Sequence, residues 1–67
     1  MKNEKIVKNS IRCKYCDDVI ISHYRHDFVY CKCRKVAVDG GKDYLKRCFV
    51  KDPDTDFEEL SIVEEIK

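Results

Sequence analysis

Cys13-Lys14-Tyr15-Cys16 and, fourteen residues further on, Cys31-Lys32-Cys33 form the stretch that decides how this chain folds. It is a C-x2-C followed by a C-x-C. Thiolates in closely spaced pairs suit a tetrahedral Zn2+, because each pair wraps one side of the ion and the loop between them brings the pairs together. The expectation is a closed structural zinc site made by Cys13, Cys16, Cys31 and Cys33, with iron in the same four sulfurs as the alternative metal. Catalytic zinc keeps an open position and four thiolates leave none, so metal catalysis is not expected.

The rest of the composition agrees with a domain that needs such a staple. The chain has 67 residues, 40% of them charged, and no Trp. A single domain of this size buries only about 60% of its unfolded surface, and its core is marginal. A bound zinc, with apparent binding energies of roughly 10–16 kcal/mol, changes that balance. The count of five cysteines argues against a disulfide framework, which would leave one thiol over. Met1 to Ser10 is polar, with Ile6 and Val7 its apolar residues, and does not read as a signal peptide. No apolar run approaches the roughly 18 residues of a membrane span. A reducing, cytoplasmic compartment is expected, where thiols bind metal.

Net charge is +1, but it is split. Residues 1–51 carry 13 basic and 6 acidic side chains, net +7; residues 52–67 carry 1 basic and 7 acidic, net −6. This divides the chain into a ribbon-like β domain over 1–51 and an acidic C-terminal segment over 52–67.

Outward from the cysteines, the start of the chain is expected to fray, with a short strand opening at Ile6 and Val7. The residue after the second cysteine of each pair often needs a positive φ, where Gly is usual; here Asp17 and Arg34 stand there. Val19–Tyr24 and Phe28–Cys31 are rich in β-branched and aromatic residues and are expected to pair as an antiparallel hairpin across Arg25-His26-Asp27. Lys35–Val38 predicts a third strand. Asp39-Gly40-Gly41 predicts a turn, and Lys42–Val50 a further strand paired through it. After Asp52-Pro53-Asp54, the sequence Thr55-Asp56-Phe57-Glu58 fits a capping box. A short helix from about Asp56 would then put Phe57, Leu60 and Val63 on one face. The fold class expected is a small metal-stabilised β-rich domain, zinc-ribbon-like, of antiparallel hairpins with a short C-terminal helix.

Several further motifs bear on function. Ile11-Arg12-Cys13-x-x-Cys16, Arg25-His26-Asp27-Phe28, Cys31-x-Cys33 and Ala37-Val38-Asp39-Gly40-Gly41-x-Asp43-Tyr44-Leu45-x-Arg47 together resemble a group of small zinc-ribbon-like proteins of bacteria and their phages. The resemblance spans roughly residues 11–50 and implies a metal-stabilised β domain and no reaction. Members of that group carry Gly where this chain has Asp17 and Arg34. With four cysteines at hand, His23 and His26 read as spectators, His26 bonded within its turn. A small nuclease built on His23, His26 and Asp27 lacks a residue to complete its site. Cys48 reads as a small buried apolar residue, with a reactive thiol as the alternative. Asp39-Gly40-Gly41-x-Asp43 lacks the oxygen ligands of a divalent-cation loop. Lys14, Tyr15, Lys32, Arg34 and Lys35 gather on the two metal turns and are the candidates for gripping phosphates and stacking bases. The expectation is a non-enzymatic zinc-stabilised module that binds a protein partner, such as a phage accessory protein binding a host protein; a nucleic-acid-binding ribbon is the alternative, and no membrane partner is expected.

Overall fold

The computed structural model describes residues 3–66. The elements run β1 (Asn3–Cys13), β2 (Val19–Ser22), β3 (Val29–Tyr30), β4 (Ala37–Asp39), β5 (Lys46–Cys48), α1 (Pro53–Asp56), β6 (Phe57–Glu59) and β7 (Ile62–Ile66). They form two antiparallel sheets. One has the order β2-β1-β6, with β7 also paired to β1; the other is β3-β4-β5. Expected fraying of the chain's start falls on residues 1 and 2, outside the described residues. The short strand expected at Ile6 and Val7 is part of an 11-residue strand that runs into the first cysteine.

Each cysteine turn is itself a hairpin turn. Arg12 faces Val19 across β1 and β2, and the N–H of Cys13 donates to Asp18 O at 2.9 Å. Tyr30 faces Ala37 across β3 and β4, and the N–H of Cys31 donates to Val36 O at 3.1 Å. The hairpin expected between Val19–Tyr24 and Phe28–Cys31 therefore does not form. Strand β2 pairs with β1, β3 pairs with β4, and residues 23–28 cross from one sheet to the other. The reason is local: a cysteine turn already reverses the chain beside each strand, so each strand finds its nearest partner across its own turn. The hairpin predicted over Asp39-Gly40-Gly41 is present, with Asp39 facing Lys46 and both glycines at positive φ.

The C-terminal helix is corrected. One helical turn spans Pro53–Asp56, capped by Asp52, whose carboxylate accepts from the N–H of Thr55 at 2.9 Å. Thr55 is thus a donor to the cap and not the cap. At Phe57 the chain is already extended, with φ −150° and ψ 162°. Helices this short are marginal in water, whereas β1 offers a ladder over its whole length. Phe57 pairs with Cys13, Glu58 with Arg12 and Glu59 with Ile11; β7 continues along the same side of β1 from Lys8 to Asn3. A β-bulge at Val7 interrupts that ladder.

The core lies between the sheets. Ile11, Cys13, Ile20, Cys31, Val36, Val38 and Phe57 form one buried cluster, with Cys16 and Val29 against it. Burying each aliphatic or aromatic member contributes about 1.5–3 kcal/mol, while each ordered residue costs roughly 1–2 kcal/mol of backbone entropy. A cluster this small leaves a narrow margin. Among the described residues, no helix is long and apolar enough to cross a membrane.

Candidate metal centre

The two cysteine turns meet. Cys13 ends β1, Cys16 lies in the turn to β2, and Cys31 and Cys33 lie in the turn from β3 to β4. All four Sγ atoms lie within 4.8 Å of one another. Cys13 Sγ is 3.6 Å from Cys33 Sγ, and Cys31 Sγ is 3.4 Å from Cys33 Sγ. A tetrahedron with metal–sulfur bonds of about 2.3 Å has edges of about 3.8 Å, so the residues present fit a four-thiolate centre. None of the cysteines is in a disulfide.

The backbone prepares the sulfurs to carry charge. The N–H of Tyr15 donates to Cys13 Sγ at 3.3 Å. Burial nevertheless pushes the Cys13 thiol up to about 12. The N–H groups of Cys33 and Asp18 act on Cys16 and bring it down to about 6. Burial works against ionisation of Cys31, but the Val36 N–H, the Cys33 and Cys13 thiols and the Lys35 N–H together outweigh it and the net shift is downward. Four thiolates this close repel each other, and a cation between them removes the conflict.

The turns that carry these sulfurs hold residues in strained conformations. Asp17 stands at φ 60° and Arg34 at φ 61°, the positions where glycine was the expected occupant. Asp17 gains an ion pair there with Arg12, at 2.5 Å.

The five basic and aromatic residues of the metal turns are not equally free. Lys14 Nζ donates to Asp54 O at 2.6 Å. Tyr15 donates its hydroxyl to Asp56 Oδ1 at 2.7 Å, and Lys35 Nζ sits 4.3 Å from the centre of its ring. The Lys32 and Arg34 side chains project from the second turn and make no ion pair among the described residues. His23 and His26 lie in the crossover, away from the cluster. Asp27 accepts from the backbone N–H of His23 at 2.9 Å, and it is the His26 carbonyl, not the imidazole, that accepts from Phe28 N–H at 3.1 Å. Cys48 is half-buried in β5, opposite Ala37, and outside the cluster.

Three residues whose roles the sequence did not suggest organise the surroundings. Asp56, fully buried, accepts from the N–H groups of Val50 and Lys51, each at 2.7 Å, as well as from Tyr15. Burial works against its charge, but the Lys51, Tyr15 and Val50 donors outweigh it and hold the carboxyl below its ordinary range. Asn9, buried in β1, donates to Asp39 O at 3.0 Å and Gly41 O at 2.9 Å, tying β1 to the glycine turn. Arg47 donates to Asn9 Oδ1 at 2.7 Å and forks onto Glu59 at 2.9 and 2.6 Å. The only sequence cue to these roles was residue type, since Asn and Asp read equally well as turn or surface residues.

No curated protein and no solved structure matches the chain. The family model of a domain of unknown function, DUF7695, matches residues 5–49, which hold most of β1, all of β2 to β5 and all four clustered cysteines, and the chain belongs to that family.

Proposed function

We propose that this chain is a non-enzymatic interaction module, stabilised by one zinc ion on Cys13, Cys16, Cys31 and Cys33, that binds a protein partner. The position of the cluster carries the reading. It joins the hairpin turn of one sheet to the hairpin turn of the other, where a metal fixes how the two sheets meet. Four soft thiolates in tetrahedral reach favour zinc or iron, and a site closed by four of them has no position for substrate. A reducing setting such as a bacterial cytoplasm keeps the thiols available, in keeping with the resemblance to small bacterial and phage proteins. Solvent-facing aromatic residues support a protein partner: Phe28 and Tyr30 are 43% and 50% exposed and meet edge to face at 5.0 Å. Aromatic groups of this kind are enriched where proteins meet.

Nucleic-acid binding is the second reading, favoured by Lys32 and Arg34, which make no ion pair among the described residues. It is the weaker one, because Lys14, Tyr15 and Lys35 already satisfy one another or the α1 segment. Elemental analysis of the purified protein is expected to give one zinc per chain. Capture of partners from bacterial lysate, with and without nuclease treatment, separates the two readings. A partner retained after nuclease supports the protein module; capture lost with the nucleic acid supports the second reading.

A further inference from the structure

Strand β1 has 11 residues, whereas β2 beside it has four. On one side it is paired along its length by β6 and β7. On the other side β2 covers residues 9–12 only. Over residues 3–8 that second side has no strand partner among the described residues. The edge does not end in open water. Where β2 stops, at Ser22 opposite Asn9, a pocket of about 380 Å3 opens beside the strand.

The chemistry of this pocket is specific. Val7, Ile21 and Ile62 give it apolar walls, and Lys8, Lys42 and His23 stand around them. The polar groups on its floor are already used. Asn9 is committed to Asp39, Gly41 and Arg47, and Ser22 Oγ donates to Asp27 O at 2.8 Å while accepting from Gly41 N–H at 2.9 Å. A ligand therefore meets apolar surface and cationic side chains, with few neutral hydrogen-bonding groups. Neither Lys8 nor Lys42 has a carboxylate within ion-pair distance among the described residues, and Lys5 is likewise unpaired. The arm carries its own carboxylates, Glu4 on β1 and Glu64 and Glu65 on β7, with Glu64 opposite Lys5, so the cationic surplus lies at the pocket, on Lys8 and Lys42.

We propose that the open edge of β1 over residues 4–8, with the pocket at its end, is a docking groove for an extended acidic segment of a partner protein. The segment adds as a strand where β2 leaves off, and seats one apolar side chain among Val7, Ile21 and Ile62. Main-chain hydrogen bonds to an exposed edge give such complexes their affinity, and alternate side chains in pockets give their specificity. Carboxylates of the segment fall near Lys8 and Lys42. An isolated two-stranded ribbon is marginally stable in water, so a third strand on β1 would also stabilise the arm made by β1 and β7. This inference rests on the reading of the chain as a protein-interaction module and names the class of segment it takes.

The test is fluorescence anisotropy with the zinc-loaded full chain. The probe is a labelled seven-residue peptide alternating glutamate with isoleucine or valine. Saturable binding is expected, at least tenfold weaker for the same peptide with lysine in place of glutamate. N-methylation of alternate backbone amides, in the register that pairs with β1, should abolish it. Lys42→Glu, in an exposed turn, should weaken binding at least fivefold and leave zinc content unchanged. Equal binding of the acidic, lysine and N-methylated peptides would overturn the proposal, as would no binding by the acidic peptide up to millimolar concentration. Dimerisation of the free protein through this edge would overturn it too. A nuclease-resistant protein partner captured equally well by wild type and by the Lys8→Glu, Lys42→Glu double variant would overturn the groove while leaving the interaction module intact.

Discussion

At Gly41 the backbone stands at φ +52°, and a Cβ there would lie 2.2 Å from the carbonyl carbon of Tyr24. Both the conformation and the space require glycine. Gly41→Val is expected to destabilise the zinc-loaded protein by about 3 kcal/mol or more, from left-handed strain and overpacking together. Lys42→Val, in the exposed turn next to it, should change stability by less than about 0.5 kcal/mol. Thermal melts of the two variants decide this, and equal melting temperatures would remove the turn from the account. Arg34 presents the opposite case. It holds φ 61° with a side chain that makes no ion pair among the described residues. Arg34→Gly relieves a left-handed conformation that costs an L-residue about 1–2 kcal/mol, offset in part by the entropy glycine adds to the unfolded chain. A rise of about 2–4 °C in Tm is expected for a domain of this size; an unchanged or lower value would mean the cost is met elsewhere. That glycine's usual place was occupied by Asp17 and Arg34 was legible before the structure, because their positions follow from the cysteine spacing.

Among the elements, the turn of helix at Pro53–Asp56 owes its place to one buried carboxylate. Asp56 gathers Tyr15 from the first cysteine turn and two backbone N–H groups from the segment after β5. Its folded pKa lies below the ordinary carboxylate value. The stability it contributes is therefore complete above the unfolded pKa of about 3.9 and is lost as pH falls through the lower folded value. Asp56→Asn should lower Tm at pH 7, and the gap between wild type and variant should narrow as pH drops below about 4. Because metal loss in acid also unfolds the chain, zinc content is measured beside Tm, and the narrowing counts only where both proteins keep one zinc. A gap independent of pH would mean the contribution comes from packing alone. The acidic tail carries local capping signals that predict a helix, whereas the competing partner, β1, lies more than forty residues earlier. Phe57 closes the core and Glu59 pairs with Arg47 at 2.6 Å, so β6 belongs to the body. Truncation after Ser61, which removes β7, should leave zinc binding and most of the melting temperature intact. Truncation after Lys51 should give a chain that does not fold, read by circular dichroism and zinc content. Loss of zinc from both truncations would show that the arm is needed to hold the centre.

The molecule as a whole is two small sheets with a shared core and a cysteine cluster at their junction. Because the core is narrow, metal removal should unfold the chain in one cooperative step, as coupled metal binding and folding requires. Cys13→Ser and Cys31→Ser should each abolish zinc binding and the fold, while Cys48→Ser keeps one zinc per chain. A well-folded protein without metal would overturn the proposed zinc centre. The sequence by itself determined the cysteine quartet, the β-rich class, the glycine turn and the positive φ of Asp17 and Arg34, though not that of His26. These rest on residue types and spacings within about twenty residues of one another, where local geometry permits few alternatives. Only the tertiary structure decided which strands pair, what the tail becomes and where an edge is left open. Strand partners are set by competition among distant segments for the same backbone donors and acceptors. Alternating apolar residues show that a strand will form, but several partners satisfy its ladder equally well. The cysteine turns settled that competition by pairing β2 with β1 and β4 with β3, which left β1 free to take the tail along one side and stand half-uncovered on the other.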